Sequence, residues 1–169
     1  WITLRERLGR DPGSSDGRLN STKLPKHFLE IAEFISRRYF SAKKIVEIGV
    51  GLSPYVALHL SSKLPEAEII VTDIDERVVK WLLDLGLKAF VDDVSRPRLN
   101  LYESADLIYS IRPPFELIPK MIELSDLVSS DILIAPLSED AYLSELDRRL
   151  KRIRLKEVIV YLRERGTAP

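Results

Sequence analysis

The sequence predicts a doubly wound α/β domain: a mostly parallel sheet of about six strands, with helices on both faces. Three observations predict it. Short apolar runs alternate with longer segments of helical period, the pattern of repeated βαβ units. The runs are apolar at successive positions, as in strands covered by helices on both sides. The chain has 169 residues, 45% of them hydrophobic, which suits one domain with a real core.

Each element has its own signal. Residues 1–22 are expected to form an N-terminal extension or flexible segment, because the stretch 10–18 is polar and turn-forming. The folded domain is expected to span 23–169. Phe28, Ile31, Ala32, Ile35 and Tyr39 share one helical face, with Pro25 suited to the first turn. Residues 45–48 read as a buried strand that runs into a glycine turn. Ser53 is placed to cap the next helix and Pro54 to open it, with the end near Leu64. Residues 68–72 form the second strand. Asp75 caps a helix through Val78, Val79, Leu82 and Leu83, and Gly86 stops it. Residues 88–91 and 105–111 are the third and fourth strands. A helix follows Pro113 and Pro114, and Pro119 belongs in its first turn or kinks it. The fifth strand is 131–135, Ser138 caps a helix to about Leu150, and 157–162 is the sixth strand.

Composition narrows the function. The 26 basic and 26 acidic residues cancel, which argues against a protein that coats nucleic acid. The absence of cysteine removes disulfides, iron–sulfur clusters and thiol nucleophiles. With only His27 and His59, a histidine-rich metal site is not expected, and His59 is expected to pack rather than catalyse. No apolar run approaches the ~20 residues that cross a bilayer, and no signal peptide is visible, so a cytoplasmic protein without a membrane partner is expected. One Met and no Cys suit a thermophile. The basic run 148–156 reads as a solvated helix face balanced by Glu139, Asp140, Glu145 and Asp147, with contact to RNA phosphates as the alternative.

Four candidate site segments fall at strand ends, where open α/β sheets bind ligands. The first is 46–54. Gly49 and Gly51 allow a ligand close to the backbone, the helix start offers free N–H groups, and Glu47 can orient the loop or accept from a cationic ligand. A dinucleotide fingerprint needs a third glycine where this chain has Pro54, so that signature fails. The second segment is 72–75. Asp73, some 20 residues beyond the glycines, is placed to accept from a ribose diol, while Asp75 is accounted for as a helix cap. In the third, 91–94, one of Asp92 and Asp93 can accept from an adenine amino group while Val94 packs on the ring. In the fourth, 109–115, two prolines stiffen a loop in which Arg112 can clamp a carboxylate or phosphate, and Tyr109 and Phe115 can wall a planar group. Each has a plainer reading as a turn, a cap or a core aromatic. The first two together, at this spacing, point to a nucleoside-bearing cofactor.

These motifs resemble those of class I S-adenosylmethionine-dependent methyltransferases. The acidic-x-Gly-x-Gly loop matches Glu47, Gly49 and Gly51, with Ser53 where the family commonly has a third glycine. The resemblance implies S-adenosylmethionine as cofactor. Glu47, Gly49, Gly51 and Ser53 would hold its amino acid end, Asp73 and Ile74 its ribose side, Asp93 or Asp92 its adenine, and Ser110 would lie at the fourth strand end. Amino-methylating members carry an Asn or Asp before two prolines and an aromatic; here Arg112 precedes Pro113, Pro114 and Phe115. The chain also resembles a small, uncharacterised archaeal family with a methyltransferase-like Rossmann core, over roughly residues 43–162. That implies an archaeal cytosolic protein and supplies no reaction. Complete class I enzymes add a seventh, antiparallel strand, and this chain is expected to end after its sixth. Three functions follow: methyl transfer with Arg112 positioning the acceptor, a non-catalytic cofactor-binding regulatory module, and another nucleotide-dependent enzyme such as a dehydrogenase, against which Pro54 counts.

Overall fold

A computed structural model describes residues 25–136 and 143–166. In chain order the regular elements are α1 (Lys26–Arg38), β1 (Lys44–Ile48), α2 (Tyr55–Lys63), β2 (Glu68–Asp73), α3 (Glu76–Asp84), β3 (Lys88–Val91), β4 (Leu107–Ile111), α4 (Ile118–Leu127), β5 (Asp131–Ala135), β6 (Lys151–Arg154) and β7 (Ile159–Arg163), with single 3-10 turns at Leu99–Leu101, Phe115–Leu117 and Leu143–Glu145.

The seven strands form one sheet in the order β3-β2-β1-β4-β5-β7-β6. The first five strands run parallel, and β7 pairs antiparallel with both β5 and β6. In β1, β2, β4, β5 and β7 successive residues are buried on alternate faces, so each strand feeds two cores. Ile45, Val71, Leu107, Leu133 and Val160 join Phe28, Ile31 and Ile35 of α1, Val56 and Leu60 of α2, and Val79 and Leu82 of α3 on one face. Val46, Ile70, Ile108, Ile132 and Tyr161 join Ile118, Met121 and Leu124 of α4, with Leu101 and Tyr102, on the other. The doubly wound architecture therefore holds.

Local chemistry explains the element ends. The Asp75 carboxylate accepts from the Arg77 N–H and caps α3. That helix closes with Gly86 N–H on Leu83 O and Leu87 N–H on Leu82 O, which satisfies two orphan carbonyls. Pro119 stands in the first turn of α4, where its missing N–H costs nothing.

Four expectations are corrected. Pro54 and Pro25 each stand one residue before their helix, and no side chain caps α2. There are seven strands rather than six. A helix running to Leu150 is not formed: Leu143–Glu145 is one 3-10 turn, and the Ser138 cap lies outside the described residues. Finally, part of the basic run is strand β6, at the sheet edge, with Lys151, Arg152 and Arg154 exposed. Cations on an edge strand oppose pairing with another sheet. The N-terminal extension also lies outside the described residues.

At the amino end of the parallel strands, charges are tightly paired. Arg163 closes β7 and is only 3% exposed. Its guanidinium donates to Asp147 Oδ2 at 2.9 Å, Asp126 Oδ1 at 2.9 Å and Ser125 Oγ at 2.5 Å. Arg149 adds a two-point contact to Asp147, at 3.0 and 2.8 Å. Hydrogen bonds from Arg149 and Arg163 hold the Asp147 carboxyl down at a pKa of about 2. A polar hollow lined by Ser125, Arg149 and Arg163 opens here. Beside it, Asp131 accepts from Tyr39 Oη at 2.7 Å and from the Arg165 N–H at 2.8 Å.

Candidate functional site

The opposite, carboxyl end of the parallel strands gathers the predicted segments. Gly49 and Gly51 have φ of 69° and 59°, a region that costs a side chain-bearing residue about 1–2 kcal/mol. The chain thereby turns back sharply beside β2: the N–H groups of Gly49 and Val50 donate to Thr72 O at 2.9 and 3.1 Å. Gly51 N–H then donates to Asp73 Oδ2 at 2.9 Å, and Asp75 N–H to Asp73 Oδ1 at 3.0 Å. One carboxylate ties the glycine loop to the end of its neighbour strand. The two segments meet, as the spacing predicts. Next to Asp73, Ile74 is 57% exposed, an apolar side chain presented at the strand end.

Glu47 lies behind this loop, 2% exposed. Its carboxyl accepts from Tyr109 Oη at 2.6 Å, and its main-chain oxygen from Thr72 Oγ1 at 3.1 Å. Burial pushes the Glu47 carboxyl up to a pKa of about 8; the Tyr109 hydrogen bond opposes this and the Asp73 charge adds to it. Burial thus favours its protonated form, and the hydrogen bond to Tyr109 makes it a pin between β1 and β4. Burial and the Glu47 charge push the Tyr109 phenol well above its ordinary range. Tyr109 is fully buried, so it does not wall a planar ligand as expected. A tyrosine opposite Glu47 in the β1–β4 register fills its polar need from inside the core.

The third segment divides its two carboxylates. Asp92 is buried and accepts from Tyr102 Oη at 2.5 Å and the Arg98 N–H at 3.0 Å, which binds the following loop to the sheet. The Arg98 guanidinium also reaches Val91 O. Asp93 is half-buried and accepts from the Ser95 N–H at 2.9 Å in a tight turn. In the fourth segment Ser110 is buried and donates to Ile48 O at 2.8 Å, locking β4 to β1. Ser53 is half-buried in the turn before α2.

Among the described residues three non-glycine positions take positive φ, Ser104, Ser129 and Arg112, and only Arg112 lies at this end of the sheet. It has φ of 54° without being glycine, and its N–H is held on Ala135 O at 2.6 Å. Backbone strain of this kind costs on the order of 1–3 kcal/mol and gathers at functional sites. Its exposed side chain lies across α1: a guanidinium nitrogen is 2.7 Å from His27 Nε2, and the guanidinium sits 5.7 Å from the centroid of the Phe28 ring. Phe28 in turn packs on Tyr55, at 5.3 Å between centroids, in the first turn after the glycine loop. Burial, then the Arg112 charge, lowers the His27 pKa. Three residues beyond Arg112, Phe115 is 58% exposed.

The sequence reading missed His27, Tyr102 and Tyr55. His27 lies in the first turn of an ordinary amphipathic helix, and only the fold brings it to Arg112, 85 residues away in the chain. Tyr102 sits ten residues beyond the carboxylate it serves.

A parallel sheet with one inserted antiparallel strand, and a glycine loop tied to the second strand end, is a Rossmann fold of the methyltransferase type. Solved structures of that class share it at identities that speak to fold alone. TrmN from Thermus thermophilus matches with a TM-score of 0.58 and 17% identity, over 80% of this chain and 48% of that one. The plantazolicin methyltransferase BpumL, in complex with SAH, matches with 0.56 and 22%, over 78% and 53%. The chain thus spans about half the length of each. The fibrillarin/Nop5p complex gives 0.56 and 16%, over 73% and 72%.

The chain belongs to the uncharacterised protein family UPF0146, whose model matches residues 28–165. A UPF0146 protein of Methanocaldococcus jannaschii is 38% identical over 137 residues, 80% of this chain and 95% of that protein. One from Archaeoglobus fulgidus is 41% identical over 112 residues, 66% of this chain and 80% of that protein. The archaeal kinship that the motifs implied is therefore correct. No described helix is long and apolar enough to cross a membrane.

Proposed function

We propose that this protein binds S-adenosylmethionine at the carboxyl end of β1 and β2, and that it transfers the methyl group to an acceptor held near the loop after β4. The observation that carries the reading is the 2.9 Å contact between Gly51 N–H and the Asp73 carboxylate, with Ile74 exposed beside it. It puts a glycine-lined backbone, a carboxylate and an apolar surface within one short arc. That donor set fits an adenosyl group: a carboxylate for the ribose hydroxyls, Ile74 against the adenine, and the Gly49–Val50–Gly51 turn along the amino acid end.

The sulfonium of S-adenosylmethionine supplies an already activated methyl group, so the protein's task is alignment. Asp73 would accept from the ribose while keeping the loop in place. The half-buried Asp93 would reach the adenine amino group, and Asp92 would support it by fixing the following loop. Glu47 and Ser110 would act from behind, as pins that keep β1 and β4 in register under the loop. Arg112 would position the acceptor. Its presence where amino-methylating enzymes carry an amide also favours a second reading, a binding module without transfer.

Titration calorimetry with S-adenosylmethionine, S-adenosylhomocysteine and NAD tests the cofactor. Binding of the first two but not of NAD is expected; heat only with NAD, or with none of the three, overturns the reading. Transfer of radiolabelled methyl groups to extract components then separates enzyme from binder. A protein that binds the cofactor but labels nothing across pH and extract fractions is the binder.

A further inference from the structure

We propose that Arg112 and His27 together form the recognition site for an oxyanion, a phosphate or carboxylate, carried by the methyl acceptor. This rests on the cofactor reading for the word acceptor, but the oxyanion site itself stands on its own geometry.

Arginine has no lone pair to offer, so in the 2.7 Å contact its N–H donates and His27 Nε2 must be the unprotonated acceptor. Burial and the guanidinium charge both favour that neutral form. A neutral imidazole is a weak use of a guanidinium whose planar fork matches an oxyanion with two parallel hydrogen bonds. Arg112 holds a φ of 54° with its N–H on Ala135 O, and its side chain reaches across to His27 and Phe28 of α1. Phe28 lies under the guanidinium and is itself supported by Tyr55, so the cation has a fixed platform.

The surroundings explain why the imidazole takes part. Facing His27 are Arg112 from the loop after β4, Glu30 from its own helix and Glu157 from the turn between β6 and β7. Glu157 is 3.9 Å from Lys26, and its N–H is held by the Glu30 carboxylate at 3.0 Å. Two cations and two carboxylates cancel while His27 is neutral. An incoming oxyanion leaves the cluster one charge negative. His27 Nε2 then gains a proton from solvent, and both Arg112 and His27 donate to the anion. Binding is thus coupled to proton uptake at a histidine, and weakens as pH rises through the His27 titration.

Nuclear magnetic resonance of the two histidine rings tests this, because His59 on α2 serves as an internal reference. Inorganic phosphate and, separately, acetate are added to the intact protein across pH 5–8. The titration midpoint of His27 is expected to rise by about one pH unit with at least one of them, while that of His59 stays put. The Arg112→Gln variant is expected to lose the response. A response to phosphate alone assigns a phosphoryl group; a response to acetate assigns a carboxylate. An unmoved His27, a shift shared equally by His59, or a shift that survives in Arg112→Gln overturns the proposal. Calorimetry with S-adenosylmethionine on the same samples keeps the two ideas apart: either can fail while the other stands.

Discussion

The two ends of this sheet solve opposite problems with similar residues. At the amino end of the parallel strands, Arg163 is buried and held by Asp126, Asp147 and Ser125, while Asp131 is engaged by Tyr39 and Arg165. At the carboxyl end, Ile74 and Phe115 are exposed, Arg112 is strained, and burial pushes the Glu47 carboxyl well above its ordinary range. One end spends its charges on holding the fold together. The other gathers a glycine turn, a buried carboxyl of raised pKa and an exposed arginine into one arc, an arrangement suited to a ligand rather than to holding the fold.

That contrast can be broken by substitution. The largest effect is expected for Arg163→Met, which removes the buried guanidinium bridging Asp147, Asp126 and Ser125 and leaves Arg149 as the only cation beside the two carboxylates among the described residues. Losing one partner of a buried ion pair costs about 3–5 kcal/mol. Chemical denaturation measures it, and a loss below about 1 kcal/mol would erase the distinction between the ends. Next is Glu47. Its folded pKa of about 8 lies above the ordinary value of 4.5, so the folded state holds an extra proton between those limits. Stability from this group is full below pH 4.5 and declines as pH rises through 8. Glu47→Gln keeps an acceptor for Tyr109 and is expected to remove a decline of a few kcal/mol across that window. Melting temperatures at several pH values decide; a variant with the parent's slope moves the origin of the slope elsewhere.

Smaller effects sharpen the comparison. Arg112→Gly suits the φ of 54°, so its melting temperature is expected to equal or exceed the parent's, by up to about 1 kcal/mol of stability, while oxyanion binding disappears. A clear loss of stability would show that Arg112 is there for packing. Last, Ile74→Ala removes an exposed side chain and is expected to change stability by no more than about 0.5 kcal/mol. Cofactor affinity, read by calorimetry, should fall about three- to tenfold. Unchanged affinity would take Ile74 out of the adenine surface.

Much of the fold was legible because burial imposes pattern. The strands β1, β2, β4 and β5 carry unbroken apolar runs since both faces are covered, and no other element of this length would use them. β6 was illegible for the complementary reason. Its four residues are Lys151, Arg152, Ile153 and Arg154, and only Ile153 is half-buried, so the strand exists through backbone pairing with β7 rather than through side chains. The site was half legible. Gly51 and Asp73 are tied by local geometry that spacing encodes. The commitment of Tyr109 to Glu47 is not so encoded, since a tyrosine beside a strand end looks the same whether it turns inward or outward. His27 carries no local signal, because its role exists only once two distant segments meet.

β7 has a consequence for biosynthesis. A ribosome releases β5 before β7, yet β7 is the strand that must slot in beside it. Until residue 163 has emerged, the nascent chain offers Ile132, Leu133 and Ile134 as an uncovered, sticky border to its neighbours. Completion of the sheet is thus deferred until β7 has emerged, and a stop codon ahead of Ile159 would release a chain prone to clump rather than a shortened folded domain.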